Sequence, residues 1–574
     1  MSNQRYLWHY PNSVPGSVQD DLDTFSPAFQ SILYQRGINS LEEALNFLLP
    51  KAPEWTSKIN LLQTDTACRI IMDSIQNKEI IAVYGDYDAD GITSTALITL
   101  ALRELIGRES SGKVVPYIPD RQTEGYGLNN TAIRSLSDQG VTLLITVDNG
   151  IRSFDEVSYA NSLGMKVIIT DHHTPGKTPP PAVVLINPKL PDDPYPNKNL
   201  AGVGVAYKLI CALGTLEPKL VPDNYLDLVA IGTVADIVPL NGENRYLVRQ
   251  GLARLNSKRR QSIHSLLGAS GNTDKKINAS DISFQIAPRI NSSGRLETES
   301  AETPLNLLLA TDLALCSDLA QKIENHNSER KRLSKELEKK IEKIILDQTP
   351  LPPLLAIFEP DVSPGLAGIA AGYLSRKHNL PAIVGQIGDL TTTASCRSIP
   401  GFNIIDALDS CRDLFVHYGG HSLAAGFTIE NEKIPQLKEY LLDLAKSQLS
   451  EISRQPELKI DAEVQLVDLN NSLYQEIMKL EPTGAGNPTP VLITTNLRAV
   501  KPKQVGKNSD HLKLVVTDGN ISMDAIGFGL GDLFFNLPPI FNLAYHLTIN
   551  NYLGSKMLQL QIVDLVPANQ QIDT

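Results

Sequence analysis

Short apolar segments alternate with amphipathic segments between about residues 65 and 240 of the chain. Four apolar, mostly β-branched runs, IIAVY, LLITV, VIIT and LVAIGTVA, are bounded by glycine or polar residues, which is typical of strands buried on both faces. The segments between successive strands have helical character. This region is therefore predicted to consist of βαβ units around a mostly parallel sheet.

One or more aspartates stand directly after each of these four runs, and two histidines accompany the third cluster. They are Asp86, Asp88 and Asp90, then Asp148, then Asp171, His172 and His173, and finally Asp236. The ends of strands in open α/β sheets are where ligand crevices form. Because unpaired carboxylates are costly to bury, six of them in one crevice predict divalent cations. The alternative is four unrelated turns, in which Asp is common, but the repeated position after apolar runs favours one site.

The remaining chain is predicted to add four further parts. SLEEALNFLLP predicts a capped helix in an amino-terminal lead-in, and a helix-forming segment of roughly 30 residues predicts a long connecting helix of about 45 Å. A second α/β pattern and then several short alternating strands follow, the latter favouring a small barrel of the OB type. The predicted parts are a helical lead-in (1–60), a first α/β domain (61–315), the connecting helix (316–349), a second α/β domain (350–450) and the OB-like barrel (456–570).

Composition and charge restrict the class of protein only broadly. The 574 residues are 42% apolar and 20% charged, as in globular proteins with several domains. We find no apolar run of about 18 residues and no secretory leader, so a cytoplasmic protein without a membrane partner is expected. Five scattered cysteines are typical of reduced thiols. The net charge of −12 argues only weakly against nucleic acid, since an acidic protein can carry a local basic groove.

The donor atoms of the acidic clusters indicate which cations would bind. Carboxylate oxygens suit Mg²⁺ and Mn²⁺, and an imidazole among them favours Mn²⁺. Alternate residues of an extended chain point the same way, so Asp86, Asp88 and Asp90 can converge on one pocket. The chain lacks the P-loop, G-x-S-x-G and HExxH motifs. Gly202 and Gly204 resemble part of a dinucleotide-binding loop, but we interpret AGVGVAYK as a turn entering a helix.

The motifs DYDADG, VDNG, DHH and VAD together resemble those of the DHH phosphoesterase superfamily, and GGHSLAAGF resembles its accessory DHHA1 domain. With the long helix and the OB-like barrel, residues 60 to 570 resemble the bacterial single-stranded-DNA-specific 5′→3′ exonucleases of that superfamily. The resemblance implies two divalent cations, Mn²⁺ before Mg²⁺, and a single-stranded DNA substrate with a 5′ end. It also implies a monomer that works with a single-strand-binding protein and a helicase.

The same resemblance assigns roles to the clustered residues. It implies Asp88 and Asp148 on one metal, and Asp90, Asp148, His172 and Asp236 on the other. Asp86 stands where relatives supply either a further ligand or an acid beside the ligands. Asp171 is expected to orient a ligating imidazole, and His173 to face the scissile phosphate as a donor or acid, with a core histidine as its alternative.

Basic and glycine-rich motifs resemble the family's nucleic-acid contacts. Arg121, Arg289 and Arg295 resemble residues that contact the DNA backbone. Ser395 and Arg397 match a pocket for the 5′-terminal phosphate, and Gly419, Gly420 and His421 resemble its wall, although tight packing alone would also explain these glycines. Five cations and three phenylalanines of the predicted barrel suit single-stranded nucleic acid: Arg498, Lys501, Lys503, Lys507, Lys513, Phe528, Phe534 and Phe535. Core packing is nevertheless the expected fate of at least two of the three phenylalanines. RLNSKRR is either a basic patch or ordinary surface.

Three functions fit these sequence features to different degrees. The leading hypothesis is a metal-dependent exonuclease that releases 5′-mononucleotides from single-stranded DNA in repair and recombination. The second is a DHH–DHHA1 phosphodiesterase for short oligonucleotides or cyclic dinucleotides, which the additional barrel disfavours. The third is a scaffold that has lost catalysis, which the complete set of acids and histidines disfavours.

Overall fold

The computed structural model describes residues 5–57, 61–107, 113–121, 123–125, 127–272, 275–296, 300–346, 350–449, 456–552 and 555–568. The predicted domain ends at 60, 349, 450 and 570 lie outside the described residues. The chain forms two compact units. The larger unit contains the described residues of Ala52–Ser450 and Gly484–Gly486, and the smaller unit contains those of Met1–Lys51, Glu451–Thr483 and Asn487–Thr574.

The helices and strands are numbered along the chain. Among the described residues the α-helices are α1 Gly16–Asp21, α2 Pro27–Gln35, α3 Leu41–Leu48, α4 Thr64–Gln76, α5 Ala89–Ile106, α6 Asn130–Asp138, α7 Phe154–Ser162, α8 Gly202–Leu216, α9 Leu226–Ala235, α10 Gly242–Ser257, α11 Gln261–Ala269, α12 Ala279–Asp281, α13 Ala287–Ile290, α14 Glu302–Leu309, α15 Leu313–Leu346, α16 Pro364–His378, α17 Ile404–Asp409, α18 Ile434–Gln448 and α19 Asn471–Met478. The strands are β1 Leu7–His9, β2 Ile80–Tyr84, β3 Val114–Tyr117, β4 Val141–Val147, β5 Lys166–Thr170, β6 Val184–Ile186, β7 Leu355–Glu359, β8 Ala382–Ile387, β9 Thr391–Arg397, β10 Phe415–His421, β11 Ala424–Glu430, β12 Glu457–Lys459, β13 Ala462–Glu463, β14 Leu492–Val505, β15 His511–Thr517, β16 Ser522–Gly527, β17 Phe541–Tyr552 and β18 Ser555–Pro567.

The first sheet of the larger unit is fully parallel, as predicted, with strand order β3-β2-β4-β5-β6. Its strands are buried apolar runs, and β2 and β4 are adjacent although β3 separates them in sequence. The direction of the winding therefore reverses between β2 and β4. In open α/β sheets this switch point, at the carboxyl ends of the strands, is where ligands bind.

One of the four runs predicted as strands is a helix. LVAIGTVA belongs to α9, and every residue from Leu226 to Val234 is buried. A helix that is apolar all round shows no amphipathic period, so a short buried run does not distinguish helix from strand. Asp236 follows α9 as its C-cap residue, and the three other clusters follow strands as predicted.

The second sheet of the larger unit is mixed, with strand order β10-β11-β9-β8-β7. Strands β7 and β8 pair in parallel, the other neighbours pair antiparallel, and GGHSLAAGF forms a hairpin between β10 and β11. The predicted long helix is α15, which is 34 residues long and buries Ile323, Leu337, Ile341 and Ile345. Its charged face includes exposed ion pairs such as Arg332 with Glu329 and Glu336.

The smaller unit contains the predicted barrel. Strands β14, β15, β16, β18 and β17 pair in that order, and the additional pairing of β14 with β17 closes the ring. The amino-terminal segment belongs to the same unit: β1 pairs with β12, and Trp8 Nε1 donates to Asp564 Oδ2 over 2.9 Å. Helix α3 begins with Ser40 as its N-cap, as the sequence predicts.

The basic tract RLNSKRR is partly neutralised within the larger unit. Arg260 Nε lies 2.6 Å from Asp227 Oδ2, and Arg254 Nε lies 4.0 Å from Asp227 Oδ1. Because Asp227 is fully buried, these two arginines compensate its charge. In the described part of the chain, none of the helices combines the length and apolar character needed to cross a bilayer.

Candidate metal and phosphate site

The first three acids lie where β2 ends and α5 begins. Asp88 is the N-cap of α5, and its Oδ1 accepts hydrogen bonds from the backbone N–H groups of Asp90 and Gly91. Asp86 and Asp90 are buried, whereas Asp88 is half-buried. A carboxylate is the preferred charge at the amino end of a helix, which explains why three acids are tolerated in this turn.

The other clusters converge on the same place. Asp148 follows β4 with φ 60°, a left-handed conformation that is uncommon outside glycine and often marks functional sites. His172 Nε2 lies 3.1 Å from Asp148 Oδ1, and His172 Nδ1 lies 3.6 Å from Asp236 Oδ2. Three sets of side chains have ligand atoms within 4.8 Å of one another: Asp86, Asp88 and Asp148; Asp90, His172 and Asp236; and Asp148, His172 and His173.

The buried polar atoms of this cluster fit cations. Among the described residues, Asp86 Oδ1, Asp148 Oδ1 and His172 Nε2 are buried and form no hydrogen bond. The 3.1 Å contact between Asp148 Oδ1 and His172 Nε2 therefore lacks hydrogen-bond geometry. Buried polar atoms are normally satisfied, so exceptions that share one pocket indicate a ligand that completes them. Carboxylate oxygens plus one imidazole suit Mn²⁺ and Mg²⁺.

The electrostatics of the cluster are unfavourable to its own carboxylates. Burial and the charges of neighbouring aspartates raise the pKa of Asp86, of Asp148 and of Asp236. The same two causes raise the pKa of Asp90 to about 7. Burial also lowers the pKa of His172 to about 3, which keeps its ring neutral and able to ligate. A divalent cation would relieve the repulsion among the acids and favour their ionised forms.

Asp171 contacts the ring of His173, which stands next to the expected ligand His172. Asp171 Oδ1 lies 2.8 Å from His173 Nδ1 and also accepts the backbone N–H groups of His172 and His173. Burial opposes ionisation of Asp171, yet the hydrogen bond from His173 and the nearby histidines lower its pKa to about 2. Burial likewise disfavours a charged His173, but Asp171, Asp86 and Asp88 raise its pKa overall.

The second sheet brings its glycine-rich hairpin next to this cluster. The ring of His421, at the end of β10, stacks on that of His173 with 6.0 Å between centroids and 13° between planes. Gly419 and Ser395 lie in one cross-strand row, each paired with Gly426 of β11. His421 and Arg397 share another row through Ala424.

Several arginines that were predicted to contact DNA lie near one another. Burial and the charges of Arg121, Arg330 and Arg397 lower the pKa of Arg295 to about 9. Burial and the charge of Arg121 similarly lower the pKa of Arg397. Arg121 lies over the ring of Tyr87, 4.9 Å from its centroid. Partly buried guanidinium groups that repel one another are stabilised by an anion, so this cluster suits a phosphate.

Arg289 has a different environment from the other predicted arginines. Its Nε lies 2.5 Å from Glu324 Oε2 of α15, and its Nη1 donates to the carbonyl of Gln285. Arg289 thus ties α13 to the long helix. The cluster also includes Arg330 of α15, which the sequence analysis did not single out because it stands among many charged residues of a helix.

Gly202 and Gly232 allow the backbone to approach the acids closely. The backbone N–H groups of Gly202 and Val203, at the start of α8, donate to Asp90 over 2.6 and 2.8 Å. A Cβ at Gly202 would lie 2.6 Å from Asp148 Oδ1, and one at Gly232 would lie 2.8 Å from Asp90 Oδ1. AGVGVAYK is indeed a helix entry, as predicted, but its backbone also holds an acid of the cluster. The closely spaced glycines of AGVGVAYK were the sequence signal that could have revealed this close approach of the backbone to the acids.

In the barrel, some predicted binding residues are exposed and others are packed. Phe528 is 58% exposed and Phe535 is 71% exposed, whereas Phe534 packs against the core of the barrel. Lys503 pairs with Lys513 across β14 and β15. Arg498, Lys501 and Lys507 are exposed. The surface thus combines cations with two exposed aromatic rings.

Comparisons with known proteins agree along the whole chain. Three family models match this chain: the DHH family, N-terminal domain (residues 80–233), the DHHA1 domain (352–451) and the RecJ OB domain (460–564). The chain is 37% identical to the single-stranded-DNA-specific exonuclease RecJ of Bacillus subtilis over 95% of this chain and 69% of that protein. It is 34% identical to RecJ of Salmonella typhimurium over 99% of this chain and 100% of that protein. This chain belongs to the RecJ family.

The fold agrees with solved RecJ structures. The crystal structure of RecJ in complex with Mn²⁺ from Thermus thermophilus has a TM-score of 0.81 and 30% identity, and the match covers 98% of this chain and 79% of that one. The Mg²⁺ complex of the same RecJ has a TM-score of 0.76 and 28% identity, with coverage of 98% and 78%. The match to the DHH family model spans the acids from Asp86 to Asp171, while Asp236 follows it by three residues.

Proposed function

We propose that this chain is a metal-dependent exonuclease that degrades single-stranded DNA in the 5′→3′ direction to 5′-mononucleotides. The observation that carries the proposal is the pocket where orphaned atoms of Asp86, Asp148 and His172 converge beside an arginine cluster. Its relatives are named single-stranded-DNA-specific exonucleases, and their solved structures contain Mn²⁺ or Mg²⁺. The function serves DNA repair and recombination.

The proposed cation ligands are the residues that line the pocket. Asp88 and Asp148 hold one ion, and Asp90, Asp148, His172 and Asp236 hold the other, with Asp86 beside the first. Two such cations activate a water and neutralise the attacking and leaving oxygens of a phosphodiester. Gly202 and Val203 fix the carboxylate of Asp90 through their N–H groups.

The remaining residues position the strand. Asp171 holds His173 through Nδ1, and His173 acts as a proton donor toward the scissile phosphate. Arg121, Arg295 and Arg397 bind phosphates, and Ser395, Gly419 and Gly420 complete a pocket for the 5′-terminal phosphate. The stacked rings of His173 and His421 are 6.0 Å apart. We propose that the cleft in which these rings meet admits a single strand but not a duplex.

The substrate also suggests the setting in which the enzyme works. A single-strand-specific enzyme needs unwound DNA, so we propose that a helicase supplies its substrate and that a single-strand-binding protein shares it. The catalytic residues all come from one chain, which is compatible with a monomer. We propose that the exposed cations and aromatics of the barrel also bind single strands.

The test is digestion of matched single-stranded and duplex oligonucleotides in Mn²⁺ by the natural protein and by Asp148→Asn. We expect 5′-mononucleotides from single strands only, and at least about a thousandfold lower rate for Asp148→Asn, because Asp148 belongs to both proposed ion sites. A dinucleotide cut far faster than a long strand would instead support the small-phosphodiesterase function. Tight binding of single strands without any hydrolysis would support a scaffold.

A further inference from the structure

A cavity of about 620 Å³ lies beside His421 in the larger unit. One wall consists of Arg152 and of the loop Thr174–Lys177, which follows the DHH motif. The other wall consists of Ile405 and Asp409 of α17 and of the end of β10. Its volume lies within the range of pockets that bind small organic ligands, about 300 to 1,000 Å³.

The groups that line this cavity suit a nucleotide with a phosphate. Arg152 and Lys177 are exposed cations, and Arg152 is anchored by a 2.8 Å hydrogen bond from its Nε to the carbonyl of Thr174. Asp409 is the carboxylate of the lining, and it accepts a hydrogen bond from Tyr418 over 2.7 Å. Among the described residues of the lining, cations therefore outnumber acids, and Tyr418 offers an aromatic surface.

The position of the cavity follows from the register of the second sheet. Residues paired directly across strands point to the same face, and His421 pairs with Ala424, which pairs with Arg397. Strand β9 is interior and β10 is an edge strand. Going outward along this face, the order is Arg397, then His421 against His173, then the cavity.

We propose that this cavity binds the nucleotide on the 3′ side of the scissile phosphate, with Arg152 and Lys177 on that nucleotide's own 3′-phosphate. The proposal rests on the proposed function, in which Arg397 takes the 5′-terminal phosphate and His173 faces the scissile one. Gly419 and Gly420 line this cavity as well as the proposed 5′-phosphate pocket, so the two sites share a wall. A strand anchored at those two points continues toward the edge of the sheet and meets the two cations. The cavity would then hold the retained strand between successive cleavages.

The test compares a 5′-phosphorylated thymidine dinucleotide with the same dinucleotide carrying a 3′-phosphate. We expect the natural protein to show a KM about five- to tenfold lower for the 3′-phosphorylated form, as one charged contact provides. Lys177→Ala should abolish this difference. Lys166→Ala, at the exposed amino end of β5 and thus the opposite edge of the first sheet, is the matched control and should retain the difference.

Two results would overturn the cavity's role. One is a preference for the 3′-phosphate that survives Lys177→Ala, and the other is an equal loss of kcat on both dinucleotides, which would place Lys177 in the catalytic machinery. Binding of both dinucleotides is measured in EDTA as well. If the preference depends on Lys177 in binding while the natural protein hydrolyses neither dinucleotide nor longer strands, the proposed function fails and the cavity's role stands.

Discussion

The two sheets of the larger unit contribute opposite charges to one cleft, and they do so by different means. The parallel sheet gathers acids from three strand ends because the carboxyl ends of parallel strands meet at one edge, and the end of helix α9 adds Asp236. The mixed sheet contributes Arg397, Ser395 and His421 through cross-strand rows, while Arg121, Arg295 and Arg330 add positive charge from other segments. The acids repel one another, and so do the arginines. The acid cluster is therefore suited to cations and the arginine cluster to anions.

The acidic and basic halves of the cleft differ in how firmly the structure fixes the positions of their charged groups. At the acidic edge, backbone N–H groups donate to Asp90, and a Cβ at Gly202 or Gly232 would lie only 2.6 or 2.8 Å from a carboxylate oxygen. At the basic edge, the predicted phosphate contacts belong to long guanidinium side chains, whose rotatable bonds can absorb small displacements. Substitutions in the acidic half should therefore have larger effects on activity than comparable substitutions in the basic half.

Outside the proposed cation ligands, the largest effect is expected from Gly202→Ala. The added Cβ would lie 2.6 Å from Asp148 Oδ1 and 2.7 Å from Asp148 Cβ, so the proposed shared ligand must move. We expect kcat/KM on single-stranded oligonucleotides to fall by at least about a hundredfold, since displacements near 1 Å have costs of that size. The rise in melting temperature on adding Mn²⁺ should be lost as well.

Gly204→Ala is the matched control for that substitution. It lies in the same helix, α8, and its added Cβ would meet the end of the flexible Leu200 side chain at 3.1 Å. The two substitutions alter helix propensity alike, and Gly204→Ala should stay within about threefold of the natural rate. An unimpaired Gly202→Ala with a normal Mn²⁺ response would remove Asp148 from the proposed ion sites.

A smaller effect is expected from Arg397→Met in the basic half. Arg397 is partly buried, and the charges of Arg121 and Arg376 lower its pKa together with burial, so a phosphate should relieve the repulsion. We expect the preference for 5′-phosphorylated over 5′-hydroxyl oligonucleotides to fall about tenfold, as measured by the ratio of kcat/KM values. Arg134→Met, which alters an exposed pair with Asp138, should leave the ratio unchanged. An unchanged ratio in Arg397→Met would place the 5′-phosphate elsewhere.

The acidic half of the cleft was easier to predict from the sequence than the basic half. Strand ends such as Asp86 and Asp148 were predictable because buried strands have a distinct composition and parallel strands share an edge. LVAIGTVA was predicted as a strand because a helix buried on all sides carries no period. Arg330 was missed because nothing local separates it from the solvated charges of α15. The rows that join Arg397 to His421 depend on the register of β9, β11 and β10, which composition does not encode.

The smallest effect on activity is expected at Arg289, although the family resemblance implies a DNA contact there. Arg289 is 7% exposed and pairs with Glu324 of α15, so Arg289→Met leaves a largely buried carboxylate without its partner. We expect the free energy of unfolding to fall by about 2–4 kcal/mol, as measured by chemical denaturation. The kcat/KM on single strands and the 5′-phosphate preference should stay within about threefold of natural values at temperatures where the variant is folded.

The double substitution Arg289→Met with Glu324→Gln distinguishes a structural role from a DNA contact. Because it removes both charges of the pair, it should recover part of the lost stability, and the double-mutant cycle gives the coupling energy of the two residues. A DNA-binding Arg289 would give the opposite pattern, namely a tenfold weaker affinity for single strands in both variants, a shallower salt dependence, and little coupling in stability. That outcome would return Arg289 to the basic half of the cleft and enlarge the phosphate-binding surface to include α13.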